Sequence, residues 1–148
     1  MMIHTRYYGD VEYEETDLFF FPDGLFGFSE LKYYLPLCMN EEDDSMLLFQ
    51  STEQPEIAFV VINPVFLCPD YSPKLTPQEL SYLEVSDSEE LSYFAICVLR
   101  DSYQESTVNL KCPIAVNPAT HKGLQVILEN SSYDYRHKLA SFIQNEQE

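Results

Sequence analysis

Ala58-Phe59-Val60-Val61-Ile62 is apolar throughout, β-branched and aromatic, and Asn63-Pro64 follows at once. So short a run suits a central strand covered on both faces better than a helix. Tyr93-Phe94-Ala95-Ile96-Cys97-Val98-Leu99 is a second run of the same kind. Shorter strand signals surround these two. Val11 and Tyr13 alternate with Glu12 and Glu14, the period of two of a half-buried strand. Residues 18–21 end at Pro22-Asp23-Gly24, where proline presets φ and glycine accepts positive φ. Residues 32–37 lead to the acidic turn Glu41-Glu42-Asp43-Asp44, and residues 46–51 follow. Residues 107–110, 114–116 and 124–128 complete the set, with a hairpin loop over 117–123.

One helix is expected in the middle of the chain. Thr76-Pro77-Gln78-Glu79 is a capping box with proline at the first helical position, and Leu80 and Leu83 supply an apolar face over 77–83. Leu139, Phe142 and Ile143 stand at helical spacing and predict a second helix within 135–143, while 144–148 is a polar, frayed tail. About nine short strands with regular punctuation predict an all-β chain, a small antiparallel β-barrel-like single domain over 1–143 with one short inserted helix. FVVINP at 59–64 and PIAVNP at 113–118 both end in Asn-Pro, read here as turn chemistry rather than a repeat.

Composition narrows the function. Eight Lys and Arg against 25 Asp and Glu give 8 − 25 = −17 over 148 residues. With 45% apolar residues, 11 Tyr and 10 Phe, the chain has the means to build a core and is not a disordered acidic segment. The charge repels phosphates, so direct nucleic-acid binding and anionic membranes are not expected, and a basic protein partner is favoured. No apolar run is long enough to span a bilayer, and MMIHTRYYGD has no apolar leader core. A cytoplasmic location is therefore expected, with Cys38, Cys68, Cys97 and Cys112 reduced and Cys97 buried.

No chemistry announces itself. His4, His121 and His137 have no metal-ligand spacing and read as exposed polar residues; no nucleotide-binding or nucleophile motif occurs. The clusters Glu14-Glu15, Glu41-Glu42-Asp43-Asp44 and Asp87-Ser88-Glu89-Glu90 read as solvated turns. No catalytic residue, metal or cofactor is expected, and the chain reads as a non-enzyme. Abundant tyrosine, apolar with a polar tip, suits protein interfaces as well as core edges. Phe66, Asp70 and Tyr71 combine aromatic area with charge in the loop after Asn63-Pro64. They are candidate partner contacts, unless Phe66 and Tyr71 merely fold that loop onto the core. Asp87, Glu89 and Glu90 are the acidic candidates.

Three segments in order, FPDGLFGFSELKYYLPL (21–37), QSTEQPEIAFVVINPVFLCPDY (50–71) and TVNLKCPIAVNPATHKGLQVIL (107–128), resemble the flagellar assembly factor FliW family, as does the opening IHTRYYG. The resemblance covers nearly the whole chain. Phe26 stands where that family often has proline, which makes the Gly24-Leu25-Phe26-Gly27 loop less rigid and more apolar. The resemblance implies a cytoplasmic, non-enzymatic β protein that binds flagellin and antagonises the RNA-binding translational regulator CsrA, the two partners competing for the factor. The rival expectation is a small-ligand-binding β-barrel whose apolar strands line a cavity.

Overall fold

The computed structural model describes residues 1–5, 8–39, 46–129 and 131–143. The expected acidic turn 41–44 and the polar tail 144–148 lie outside the described residues. An N-terminal hairpin pairs β1 (Met2–Thr5) with β2 (Gly9–Glu12). It is locked by Thr5, whose hydroxyl donates to the Gly9 carbonyl (2.9 Å) and accepts the Tyr8 N–H (2.8 Å). Beyond it β3 (Phe19–Phe20), β4 (Tyr33–Cys38), β5 (Met46–Ser51) and β6 (Ala58–Ile62) form an antiparallel meander. Next come the short helices α1 (Pro64–Leu67) and α2 (Pro77–Tyr82). Then β7 (Ser92–Val98) joins β6 and continues the sheet.

The remaining elements gather around β7. Its first half, Ser92 to Phe94, pairs with β9 (Ile114–Val116), which pairs with β10 (Gly123–Gln125). Its last residues, Cys97 and Val98, pair with β8 (Thr107–Val108), which pairs with β11 (His137–Lys138) ahead of helix α3 (Leu139–Ile143). The all-β class is as expected. A barrel is not: the strand ladder stays open, and among the described residues its ends meet at one parallel bridge, Phe20 with Lys122. There the Phe20 N–H donates to the His121 carbonyl at 2.9 Å. β3 and β10 are too short to make a ladder between them.

Local chemistry accounts for the element ends. The Thr76–Glu79 capping box is present, with amide contacts of 3.2 and 2.8 Å. β6 and β9 stop at their Asn-Pro junctions. Both asparagines accept an amide two residues on, from Val65 (3.1 Å) and Ala119 (2.9 Å), so the echo is a shared turn. Asn63 also starts α1, a helix the sequence reading took only as the end of a strand. The tail helix is shorter than the expected 135–143, because 137–138 pair as β11 first.

The sheet carries a core on each face. One joins Tyr71, Leu75, Leu83, Leu91, Val108 and Leu110. The other is aromatic: Phe21, Tyr34 and Phe49 are fully buried, with Phe19 edge-on to Phe49 at 5.5 Å and Phe49 to Phe94 at 5.1 Å. The four thiols are free, and Cys97 and Cys112 are buried. Burial pushes the Cys97 thiol and the Tyr93 phenol up to about 12, and Tyr34, also facing Glu53, to the same value. The native state thus keeps these protons where the unfolded chain, with ordinary values of 9 and 10, has lost them. The stabilisation is complete below pH 9 and disappears as pH climbs from 9 through 12. Urea midpoints measured across that range should fall steadily; a flat profile would contradict the burial of these groups.

Candidate partner-binding surface

The first run of the sequence is not covered on both faces as expected. Val61 and Ile62 are buried, but Ala58, Phe59 and Val60 are only half-buried, and on β7 Val98 is 46% exposed, as is Leu99 beyond it. Among the described residues this end of the sheet is covered only in part, Phe28 packing edge-on to Phe59 at 5.0 Å. Register places Leu48, Val60 and Cys97 side by side on one face. With Ala58 and Leu99 they line a hollow of about 660 Å³ bordered by Tyr8 and Met39. Phe59, Ile96 and Val98 alternate to the other face. They line the edge of the first hollow too, and border a second with Phe26, Tyr135 and Arg136.

Among the described residues no carboxylate lines either hollow. Phe26 and Tyr135 are each 52% exposed, large apolar surfaces, and the Lys111 ammonium stands 5.5 Å from the centre of the Tyr135 ring. The Phe26 N–H is held by the Gln125 side-chain carbonyl at 2.8 Å, so the loop that carries the ring is anchored to β10. Apolar residues at both parities of β6 and β7 were the available sequence signal. They fit burial on both faces and apolar contact surfaces equally well.

The candidates named from sequence are scattered differently. Phe66 is 53% exposed on α1 beside Val65, 47% exposed, and Asp70 is exposed. Tyr71 does not share that surface. Its ring is buried, its hydroxyl donates to the Leu110 carbonyl at 2.7 Å, and burial raises its phenol well above the ordinary value. Asp87, Glu89 and Glu90 are exposed, but two of them shape the turn. Asp87 accepts the Glu89 N–H at 3.0 Å. Glu90 accepts the Ser86 and Asp87 amides, each at 2.8 Å, and those bonds hold its carboxyl below the ordinary range. Asp87 and Glu89 meet the chain after Tyr71 across a cleft of about 510 Å³, so the two candidate segments are neighbours in space.

Each histidine holds a local contact. His4 is exposed and stands 2.7 Å from Asp10. His121 is half-buried rather than exposed, because its positive φ of 64° closes the β9–β10 loop and turns its ring against Phe19. His137, also half-buried, accepts the Asp134 N–H at 2.8 Å. Among the described residues no group of three His, Cys, Asp or Glu side chains is placed to hold a metal.

The family model described as FliW protein matches residues 2–139. The chain belongs to the FliW family. The flagellar assembly factor FliW of Caldanaerobacter subterraneus subsp. tengcongensis is 36% identical over 145 residues, covering 98% of this chain and 97% of that one. Its counterpart in Geobacillus kaustophilus is 34% identical over 139 residues, covering 94% and 95%. A crystal structure of the flagellar assembly factor FliW superposes with a TM-score of 0.86 at 32% identity, covering 94% of this chain and 96% of that one. The open sheet is thus the FliW fold, and the hollows at the ends of β6 and β7 lie within the matched region.

Proposed function

We propose that this chain is a non-enzymatic flagellar assembly factor that binds flagellin and, in exchange for it, the translational regulator CsrA. Flagellin that accumulates before export would occupy the factor and leave CsrA free to repress flagellin translation; its export would free the factor to capture CsrA. The observation that carries the reading is an apolar surface lined by no carboxylate among the described residues, on a chain of net charge −17. Two kinds of surface suit two kinds of partner. The hollows at β6 and β7 offer shape and apolar area, the terms that hold an amphipathic structural protein. The acidic remainder attracts a basic RNA-binding protein over distance and acts mainly on its association rate. The rival reading, a ligand inside a barrel, finds no lumen, because the ladder is open and aromatic and aliphatic side chains fill both faces.

Val98→Asp places a charge between the hollows at an exposed position. Flagellin affinity should fall at least tenfold, about 1.4 kcal/mol, with thermal stability kept and CsrA association unchanged. Stopped-flow rates across a salt series complete the test. CsrA association should slow steeply as the Debye length shrinks from about 10 Å at 0.1 M to about 3 Å at 1 M, while flagellin association changes little. Glu89→Lys, which leaves the turn bonds of Asp87 and Glu90 in place, should slow CsrA association at low salt only. If Val98→Asp binds flagellin normally and CsrA association ignores salt, the reading fails.

A further inference from the structure

Residues 71–75 belong to no helix or strand, and burial alternates along them as it does along an extended strap. Tyr71, Pro73 and Leu75 point into the core, while Ser72 and Lys74 are exposed. In an extended chain the main-chain groups of alternate residues face opposite edges. One edge of this strap is occupied: the Tyr71 N–H donates to the Cys68 carbonyl (2.9 Å), and the Leu75 N–H to the Ser88 hydroxyl (3.0 Å). Pro73, with no N–H to offer, falls on that same edge. The other edge is open. Among the described residues the N–H and C=O groups of Ser72 and Lys74 have no hydrogen-bond partner.

We propose that this open edge receives an extended segment of a basic protein, added to the strap as a strand. The inference deepens the reading above and rests on it, since the basic partner there is CsrA. Main-chain hydrogen bonds supply the attachment in such strand addition, and flanking pockets select the side chains. The strap has a cleft on either side, of about 510 and 380 Å³. Asp87 and Glu89 line the first and Glu79 and Glu129 the second, and among the described residues Lys74 is the one basic residue lining either. Ile127, 43% exposed in the second, offers an apolar contact. Four carboxylates against one ammonium select a basic occupant, and a second copy of this chain, at −17, is repelled.

The test separates main chain from side chain. Lys74→Pro removes a donor from the open edge, and Lys74→Ala keeps that donor while removing the one positive charge. By calorimetry, Lys74→Pro should bind CsrA at least tenfold more weakly than the unaltered chain, and Lys74→Ala about two- to threefold more tightly. Equal binding by the two variants, or weaker binding by Lys74→Ala, overturns the proposal. Should Lys74→Pro fail to fold, hydrogen exchange on the unaltered chain decides: the Ser72 and Lys74 amides should exchange freely alone and become protected with CsrA. Fast exchange in the complex overturns the proposal. If the unaltered chain binds neither CsrA nor flagellin, the partner reading above fails on its own. A synthetic peptide alternating lysine with valine should then still protect both amides at low salt, and its failure to do so overturns the strap as a docking edge.

Discussion

Tyr71→Ala is expected to lower folding stability by about 3–5 kcal/mol, the range for deleting a buried aromatic ring. The ring is 5% exposed, packs against Tyr133 with centroids 4.7 Å apart, and pins the strap to the core beside Leu75 and Leu110. Tyr71→Phe keeps the ring and removes the bond to Leu110, leaving a buried carbonyl unpaired at a cost of about 1–3 kcal/mol. Urea unfolding of both variants checks the order. Against a total stability of about 5–15 kcal/mol, the alanine variant is close to unfolding. A binding loss in it would therefore say nothing about contact with a partner. Asp70→Ala, at an exposed position, is the variant that tests this loop. If Tyr71→Ala unfolds at the same urea concentration as the unaltered chain, the assignment of Tyr71 to the core is wrong.

Gly24→Ala is the second large effect. Gly24 sits at φ +67°, and a Cβ there would stand 2.5 Å from the Phe28 carbonyl oxygen and 2.6 Å from the Ser29 Cα. Both are main-chain atoms, so no rotamer change relieves the clash. The turn is held by the Gly24 N–H to Phe21 and the Phe28 N–H to Leu25 carbonyl bonds, each 2.8 Å, with Leu25 buried beneath. Gly27 supplies the control: its φ is +84°, but a Cβ there meets nothing within 4 Å. Gly27→Ala should cost only the left-handed strain, about 1–2 kcal/mol, and Gly24→Ala at least twice that. Equal losses would show that the turn opens freely and that φ alone matters.

Residues whose chemistry is local were legible in the sequence. Thr76 and Glu79 announced their helix, Asn63-Pro64 and Asn117-Pro118 their strand ends, and Cys97 its burial, because each signal is settled within a few neighbours. The strand runs were read correctly in place but not in surroundings. Five apolar residues at 58–62 are the same letters whether a second layer covers them or a partner does. Closure failed for a related reason: whether Phe20 reaches Lys122 depends on strand tilt and length across a hundred residues of chain. The tyrosines divided along the same line. Tyr34 and Tyr71 are core, Tyr8, Tyr33 and Tyr135 are exposed, and only the packing distinguishes them.

β7 touches three strands on its two edges, and 29 residues, 63–91, separate it from β6. That spacing orders events during synthesis. The meander from β3 to β6 can assemble as it leaves the ribosome, since each strand pairs with its sequence neighbour. Until β7 emerges, β6 presents an apolar, unpaired border, the kind of surface that recruits other nascent chains. At about 5–20 residues per second that exposure lasts on the order of seconds. The intervening segment, carrying α1, α2 and the acidic turn at 86–90, is the first material available to shield it. A protein whose finished form keeps apolar hollows at the ends of β6 and β7 thus passes, while being made, through a state that exposes more of the same border.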